Sequence, residues 1–291
     1  MFWKARASKF DATVEWSAHG VHTAGGSIAK ALFFDIDGTL LDSKSDSEEV
    51  PEGVVRELRR LQDEGNRLFV CTGRPRLLIP QDLSDFGFDG FVLANGGHVE
   101  IGGQTVYQEL MGRELATAAA DLLTTMGFEY TISSAHHIFL PRDYGVMRAF
   151  FADMEWCFTF DFDRADALAR AIKLECFPSE ADRERIRQAV EREIGSGATF
   201  NDNGTRGTLE LYSSRLSKAT GIAIALKHFG VAREDSYGFG DGTNDLAMIR
   251  ACGTGVAMGN ACDELKREAD LVCGDVSERG LELALRDLFP A

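Results

Sequence analysis

From residue 31 onward the chain alternates short, unbroken apolar runs with longer stretches of helical periodicity. Ala31-Leu32-Phe33-Phe34 is apolar throughout and ends at Asp35. A run with no polar position for a solvated face predicts a central strand of a parallel sheet, covered on both sides. Pro51 then opens a helix whose apolar positions Val54, Val55, Leu58 and Leu61 form one stripe, closed by Gly65. Leu68-Phe69-Val70-Cys71 and Phe91-Val92-Leu93-Ala94 repeat the strand pattern. Strand, helix and strand in about forty residues make a βαβ unit, which is right-handed nearly always.

The pattern changes after Gly96-Gly97. Val99-Glu100-Ile101 and residues 104–107 flank Gly102-Gly103, which predicts a β-hairpin on a two-glycine turn. A helix is predicted over 113–126, with strands near 128–132 and 137–140. Asp163 caps a helix running to residue 172, and a strand follows over 173–177. Ser179 and Asp182 have capping-box spacing before a helix carrying Ile186, Val190 and Ile194. Strands near 198–200 and 208–212 complete an α+β region. The first pattern then resumes. Ser217 opens a helix ending at Gly230, and Tyr237-Gly238-Phe239-Gly240 is a strand ending at Asp241. A helix to Cys252, a strand over 255–258, a helix from Asn260, a strand over 271–273 and a helix from Ser277 follow. The expected organisation is an α/β core made of residues 31–96 and 209–291, an inserted α+β domain over 97–208, and an N-terminal extension over 1–30.

Composition narrows the function. The 291 residues are 44% hydrophobic, enough to bury a real core and to exclude a disordered or fibrous chain. Lys and Arg number 31 against 46 Asp and Glu, a formal charge of −15. That balance argues against a nucleic-acid partner or an anionic membrane, and a phosphate would need a local device such as a metal, a helix N-terminus or a placed cation. Residues 1–34 differ, with four basic side chains (Lys4, Arg6, Lys9, Lys30) against Asp11 and Glu15. The cysteines, Cys71, Cys157, Cys176, Cys252, Cys262 and Cys273, form no C-x-x-C pair, so zinc and redox motifs are not expected and a reduced, cytoplasmic setting is. No apolar run approaches a membrane span.

Four segments carry candidate chemistry, three of them just past predicted core strands, the edge where open parallel sheets bind ligands. Asp35-Ile36-Asp37-Gly38-Thr39-Leu40 sets two carboxylates at i and i+2, on the same side, before a glycine turn. One carboxylate could attack phosphorus while the other handles a proton, and two charges so close need a cation or a shared proton. Thr72-Gly73-Arg74 offers a hydroxyl and backbone N–H groups to a phosphoryl oxygen. Lys218 stands in the first turn of a helix, where the dipole disfavours a cation unless an anion is bound between. Gly240-Asp241-Gly242-Thr243-Asn244-Asp245 offers two carboxylates and an amide, oxygen ligands that suit Mg²⁺. Asp161-Phe162-Asp163 repeats the D-x-D spacing but lacks the Gly-Thr turn, and reads as a strand end and helix cap.

Taken together, the four segments resemble the sequence motifs of the haloacid dehalogenase (HAD) superfamily, in order and at the right strand ends, over residues 31–291. The insert resembles the type IIB cap of the Cof-type sugar-phosphatase group by its place and pattern. The resemblance implies a Rossmann-like core with a parallel sheet and a cap that sets specificity. It implies Asp35 as the nucleophile forming an aspartyl-phosphate, and Asp37 as the acid that protonates the leaving alcohol and then activates water. It implies Thr72, Gly73 and Asn244 at the phosphoryl group, and Lys218 stabilising both Asp35 and that group. Mg²⁺ would be held by Asp35, the Asp37 carbonyl oxygen and Asp241, with Asp245 supporting the site. Where many relatives place glycine after the motif lysine, this chain has Ala219, with Gly221 two residues on.

The expected activity is Mg²⁺-dependent hydrolysis of small phosphorylated metabolites, sugar phosphates or similar, by a monomer or homodimer. A phosphomutase on the same scaffold and a non-catalytic phosphometabolite-binding protein are the alternatives. His136, His137, Arg142 and Arg148 are candidates for substrate contacts within the cap.

Overall fold

The computed structural model of the protein describes residues 29–42, 45, 49–203 and 207–290. The extension expected over 1–30 lies outside them except for Ala29 and Lys30. Contacts divide the chain into two units. One holds the residues up to Gly73, Pro80–Tyr107 and those from Ser217 on; the other holds Arg74–Ile79 and Gln108–Leu216.

The first unit is built on an eight-stranded sheet. From one edge its strands are β14 (Leu271–Val272), β13 (Thr254–Ala257), β12 (Ser236–Gly240), β1 (Ala31–Phe34), β2 (Arg67–Cys71), β3 (Gly90–Leu93), β4 (His98–Ile101) and β5 (Gln104–Gln108). The run from β14 to β3 is parallel, and β4 turns back antiparallel on β3. Every residue of β1 is buried, as its unbroken apolar pattern requires. Its aromatic rings stack across strands, Phe33 on Phe69 at 4.7 Å and Phe34 on Phe239 at 4.9 Å between centroids. Helices Lys218–Phe229 and Leu246–Ala251 close one face through Ile222, Ala225, Leu226 and Met248. Gly221 lets the first of them lie close on β3: a Cβ there would stand 2.3 Å from Val92 Cγ1. Gly230, in the left-handed conformation at φ 66°, ends that helix. Strand order reverses beside β1, with β2 and β3 reached on one side and β12 on the other. A crevice at the carboxyl ends of these strands is where this architecture binds ligands.

The second unit has a six-stranded, mostly antiparallel sheet: β10 (Ala198–Asn203), β11 (Thr208–Ser213), β9 (Lys173–Cys176), β6 (Tyr130–Ser133), β7 (Ile138–Phe139) and β8 (Phe158–Thr159). Helices Arg113–Thr125, Arg164–Ala169 and Glu180–Glu193 cover its apolar face, burying Leu123, Tyr130, Ile132, Leu174, Ile186 and Leu211. On the opposite face Lys173 is buried, paired with Glu210 and 3.2 Å from Glu175. Asp163 caps its helix by accepting from Asp166 N at 2.9 Å, and Asp161 pairs with Arg142, as expected for a strand end and cap rather than a second catalytic pair.

Both expected domain boundaries shift. The hairpin β4–β5, placed at the start of the insert over 97–208, pairs with β3 and extends the first sheet. Its turn type read correctly, but a hairpin carries no label of which sheet it joins. Strand β11 pairs with β9 and β10 in the second sheet, in keeping with the strand expected near 208–212 as part of the α+β region, so the core boundary drawn at 209 moves past it. Two caps also differ. Ser179 donates to Asp182 Oδ2 at 2.6 Å, so these side chains bond each other rather than the helix backbone. Ser217 makes no side-chain cap and lies 3.5 Å from Thr220 Oγ1.

Candidate active site

Asp35, Thr72 and Asp241 directly follow β1, β2 and β12, three adjacent parallel strands, so the sheet alone brings their loops to one edge. Asp35 is fixed by its own backbone, whose N–H donates to Phe239 O at 2.9 Å. The chain then wraps tightly: the N–H groups of Thr39, Leu40 and Leu41 all converge on Ile36 O, at 3.2, 3.0 and 2.8 Å. Ile36 points into the core, while Asp35 is nearly and Asp37 partly withdrawn from solvent. Gly38 makes the turn at φ 81°, and a Cβ there would stand 2.2 Å from Asp241 Oδ2. Only glycine lets the two acidic loops come this close.

Lys218, 1% exposed, joins the carboxylates. Its Nζ lies 2.7 Å from Asp35 Oδ1 and 2.5 Å from Asp245 Oδ1. The misplaced first-turn cation of the sequence is thus matched by two protein carboxylates. Asp245 is itself held by backbone: Asp241 N and Gly242 N each donate to its Oδ2 at 2.9 Å. Gly240 leaves room for it, since a Cβ there would stand 2.4 Å from Asp245 Cγ. One carboxylate oxygen from each of Asp35, Asp241 and Asp245 lies within 4.8 Å of the other two.

Three carboxylates against one ammonium leave two formal negative charges in a site shielded from water. Burial, with the charges of Asp245 and Asp37 adding to it, pushes Asp35 up to about 7 despite Lys218. Burial, then Asp245 and Asp35, pushes Asp241 up to about 9. Burial opposes the charge of Lys218, but Asp245 and Asp35 outweigh it and hold the ammonium well above its usual range. This excess of hard oxygen donors fits a divalent cation, which would neutralise what the single lysine does not.

Thr72 is buried at the end of β2 and tied to β3 through its N–H to Val92 O at 2.8 Å. Gly73 follows it, half-buried. Asn244 donates to Asn95 Oδ1 at 3.4 Å, and Asn95 N donates to Thr72 O at 3.1 Å, so Asn244 and the Thr72 loop are linked. Asn95 and Asn260 lie outside the four segments that carry candidate chemistry in the sequence. Asn95 is buried in the left-handed conformation at φ 55° after β3, and Asn260 follows β13, where it donates to Gly38 O at 2.8 Å. Both are polar residues beside a glycine just past a buried parallel strand, the signal that found Asp35, Thr72 and Asp241. Of the candidates in the second unit, Arg142 is paired with Asp161, Arg148 with Glu155, and His137 Nδ1 lies 3.3 Å from Thr159 Oγ1.

A doubly covered parallel sheet with buried aspartates and a lysine at its switch point defines a class, and comparison with known proteins agrees. The chain belongs to the haloacid dehalogenase-like hydrolases, whose family model matches residues 32–285. Within them it falls with the Cof-type, subclass IIB members. YkrA of Bacillus subtilis (strain 168), whose phosphatase name is provisional, is 30% identical over 272 residues, covering 89% of this chain and 98% of YkrA. The 5-amino-6-(5-phospho-D-ribitylamino)uracil phosphatase YwtE of the same organism is 25% identical over 294 residues, covering 89% and 98%. The solved structure of the subclass IIB sugar phosphatase BT4131 matches with a TM-score of 0.78 at 26% identity, over 89% of this chain and 99% of that one. Among the described residues no helix is long and apolar enough to cross a membrane.

Proposed function

We propose that the protein is a Mg²⁺-dependent phosphatase that hydrolyses phosphomonoesters of small metabolites through a phosphoryl group carried on Asp35. The observation that carries this reading is the junction of Asp35, Asp245 and Lys218 within 2.7 Å contacts, with Asp241 beside them. Phosphoryl transfer asks a protein mostly for positioning and charge neutralisation, and this site supplies both. Asp35 attacks phosphorus with one carboxylate oxygen, while Lys218 fixes the other part of that carboxylate. Asp37 gives its proton to the departing alcohol oxygen and then takes one from the water that attacks the phosphorylated aspartate, so one acid serves both displacements. Thr72 with the backbone at Gly73, and Asn244 steadied by Asn95, would hold phosphoryl oxygens. Asp35, the Asp37 carbonyl oxygen and Asp241 would hold Mg²⁺, with Asp245 orienting the loop behind them. The ion would supply positive charge to the phosphoryl oxygens, which an acidic protein does not offer elsewhere.

The named phosphatases among the relatives support small phosphorylated substrates, and choice among these is assigned to the unit over Gln108–Leu216. A phosphomonoester panel assayed for free phosphate, with Mg²⁺ and with chelator, tests the reading. Phosphate release that needs Mg²⁺ and vanishes in Asp35→Asn supports it. Release untouched by Asp35→Asn refutes it, and transfer to a second sugar hydroxyl without free phosphate would make the protein a mutase.

A further inference from the structure

Asn260 lies outside the four motif segments, yet its side chain joins two of their loops. Its Nδ2 donates to Gly38 O at 2.8 Å and lies 3.4 Å from Asp241 Oδ2. Its Oδ1 accepts from Val276 N at 3.0 Å. That last bond decides which way the amide points. An N–H must meet the oxygen, so the NH₂ group faces Gly38 and Asp241, one hydrogen for each acceptor.

The loop bearing Asn260 is itself anchored. Met258 N donates to Gly240 O and Gly259 N to Gly274 O, each at 2.9 Å, and Cys262 N donates to Asp241 O at 3.0 Å. Gly259 has no room for a side chain, since a Cβ there would stand 2.5 Å from Asp275 N. The amide is therefore held from three sides before any ligand arrives. The backbone of Asp241 is fixed by its N–H to Asp245 Oδ2 and by Cys262 N on its carbonyl, but its carboxylate could still rotate about the side-chain torsions. A donor on Oδ2 that is also bonded to Gly38 O sets the carboxylate against the loop that carries Asp35.

We propose that Asn260 is a positioning residue of the cation site: it pre-sets the Asp241 carboxylate relative to the Asp35–Gly38 turn, so that a divalent ion meets ligands already in place. This rests on the reading of Asp35 and Asp241 as cation ligands. Partners of this kind, bonded to a ligand rather than to the metal, typically change metal affinity about 10- to 100-fold when removed.

The test is Mg²⁺ binding to the intact, substrate-free protein by titration calorimetry, for wild type, Asn260→Ala and Asp241→Asn, with unfolding temperatures in chelator measured alongside. The expected result is Mg²⁺ affinity about 10- to 100-fold weaker in Asn260→Ala. Saturating Mg²⁺ should restore most of kcat, and KM for the phosphoester should stay near that of wild type. A merely structural asparagine would lower the unfolding temperature and leave the Mg²⁺ affinity unmoved, and that result overturns the proposal. Should Asn260→Ala not fold, Asn260→Ser decides on the same readouts. If wild type and Asp241→Asn bind Mg²⁺ alike, the cation reading itself has failed; if only Asp241→Asn loses binding while Asn260→Ala keeps it, this inference alone has failed.

Discussion

Lys218 carries its charge where almost no water reaches it, and the arrangement survives because Asp35 and Asp245 lie within 2.7 Å of its nitrogen. Such a pairing is weak evidence for stability by itself, since desolvating three charged groups costs much of what their attraction returns. Breaking it is another matter. Lys218→Met leaves two buried carboxylates without their cation, which we expect to cost ~3–5 kcal/mol in metal-free protein. Urea unfolding in chelator measures that loss. The same variant assayed with saturating Mg²⁺ should lose at least roughly 100-fold in kcat, because a positive charge aimed at the transferring group is gone. A variant that unfolds like wild type and keeps its kcat would remove Lys218 from the account. At this scale the site was legible wherever residue chemistry met spacing: D-x-D-G-T, a first-turn lysine and an acidic glycine turn are uncommon together. Asn95 and Asn260 were not, because an asparagine beside glycine is ordinary turn composition and only the fold shows that theirs follow β3 and β13, the neighbours of β2 and β12.

The helix Lys218–Phe229 is the element that delivers the lysine, and its seating depends on Gly221 lying against Val92 of β3. Gly221→Ala adds a methyl where Val92 Cγ1 would stand 2.3 Å away. Overpacking of this kind costs ~1–3 kcal/mol even though alanine is the better helix former. Pairing it with Val92→Ala should recover part of that loss, a coupling that a double-mutant cycle in urea reads directly. Additive losses would show that the contact does not seat the helix. Elements were the most legible level. Buried parallel strands read as unbroken apolar runs, and β1 is found where that pattern placed it. The shift of β4–β5 into the first sheet has a physical cause. Strand pattern reports burial of a face, whereas sheet membership is decided by pairing between distant residues. The helix expected from Asn260 starts only at Asp263, since Asn260 spends its amide on Gly38 and Val276 rather than on a helix start.

At the scale of the whole molecule, the formal charge is −15, and three of the carboxylates behind it, Asp35, Asp241 and Asp245, gather at one site. Burial and neighbouring carboxylates push Asp35 up to about 7 and Asp241 up to about 9, above the values of an unfolded chain. Between the unfolded and folded values the folded, metal-free protein binds more protons than the unfolded one. Their contribution to stability is therefore whole at acid pH and declines as pH rises from about 4 to about 9. A divalent cation competes with those protons and restores what ionisation removes. The rise in unfolding temperature produced by Mg²⁺ should thus be small at pH 5 and grow towards pH 8, with protons released on binding; these pH values are rough bounds taken from linkage. Scanning calorimetry across that range, with and without Mg²⁺, checks it, and a shift that shrinks with rising pH would contradict it.

The proposed hydrolysis turns on a covalent phosphoryl group at Asp35, and one measurement addresses it without intermediary. Protein mixed with a turned-over phosphomonoester and Mg²⁺, quenched in acid within the first turnover, can be digested and its peptides weighed. We expect a phosphoryl adduct on the peptide holding Asp35, absent in chelator and absent in Asp35→Asn. Rapid phosphate release with no adduct on that peptide, or an adduct that persists in Asp35→Asn, would contradict it.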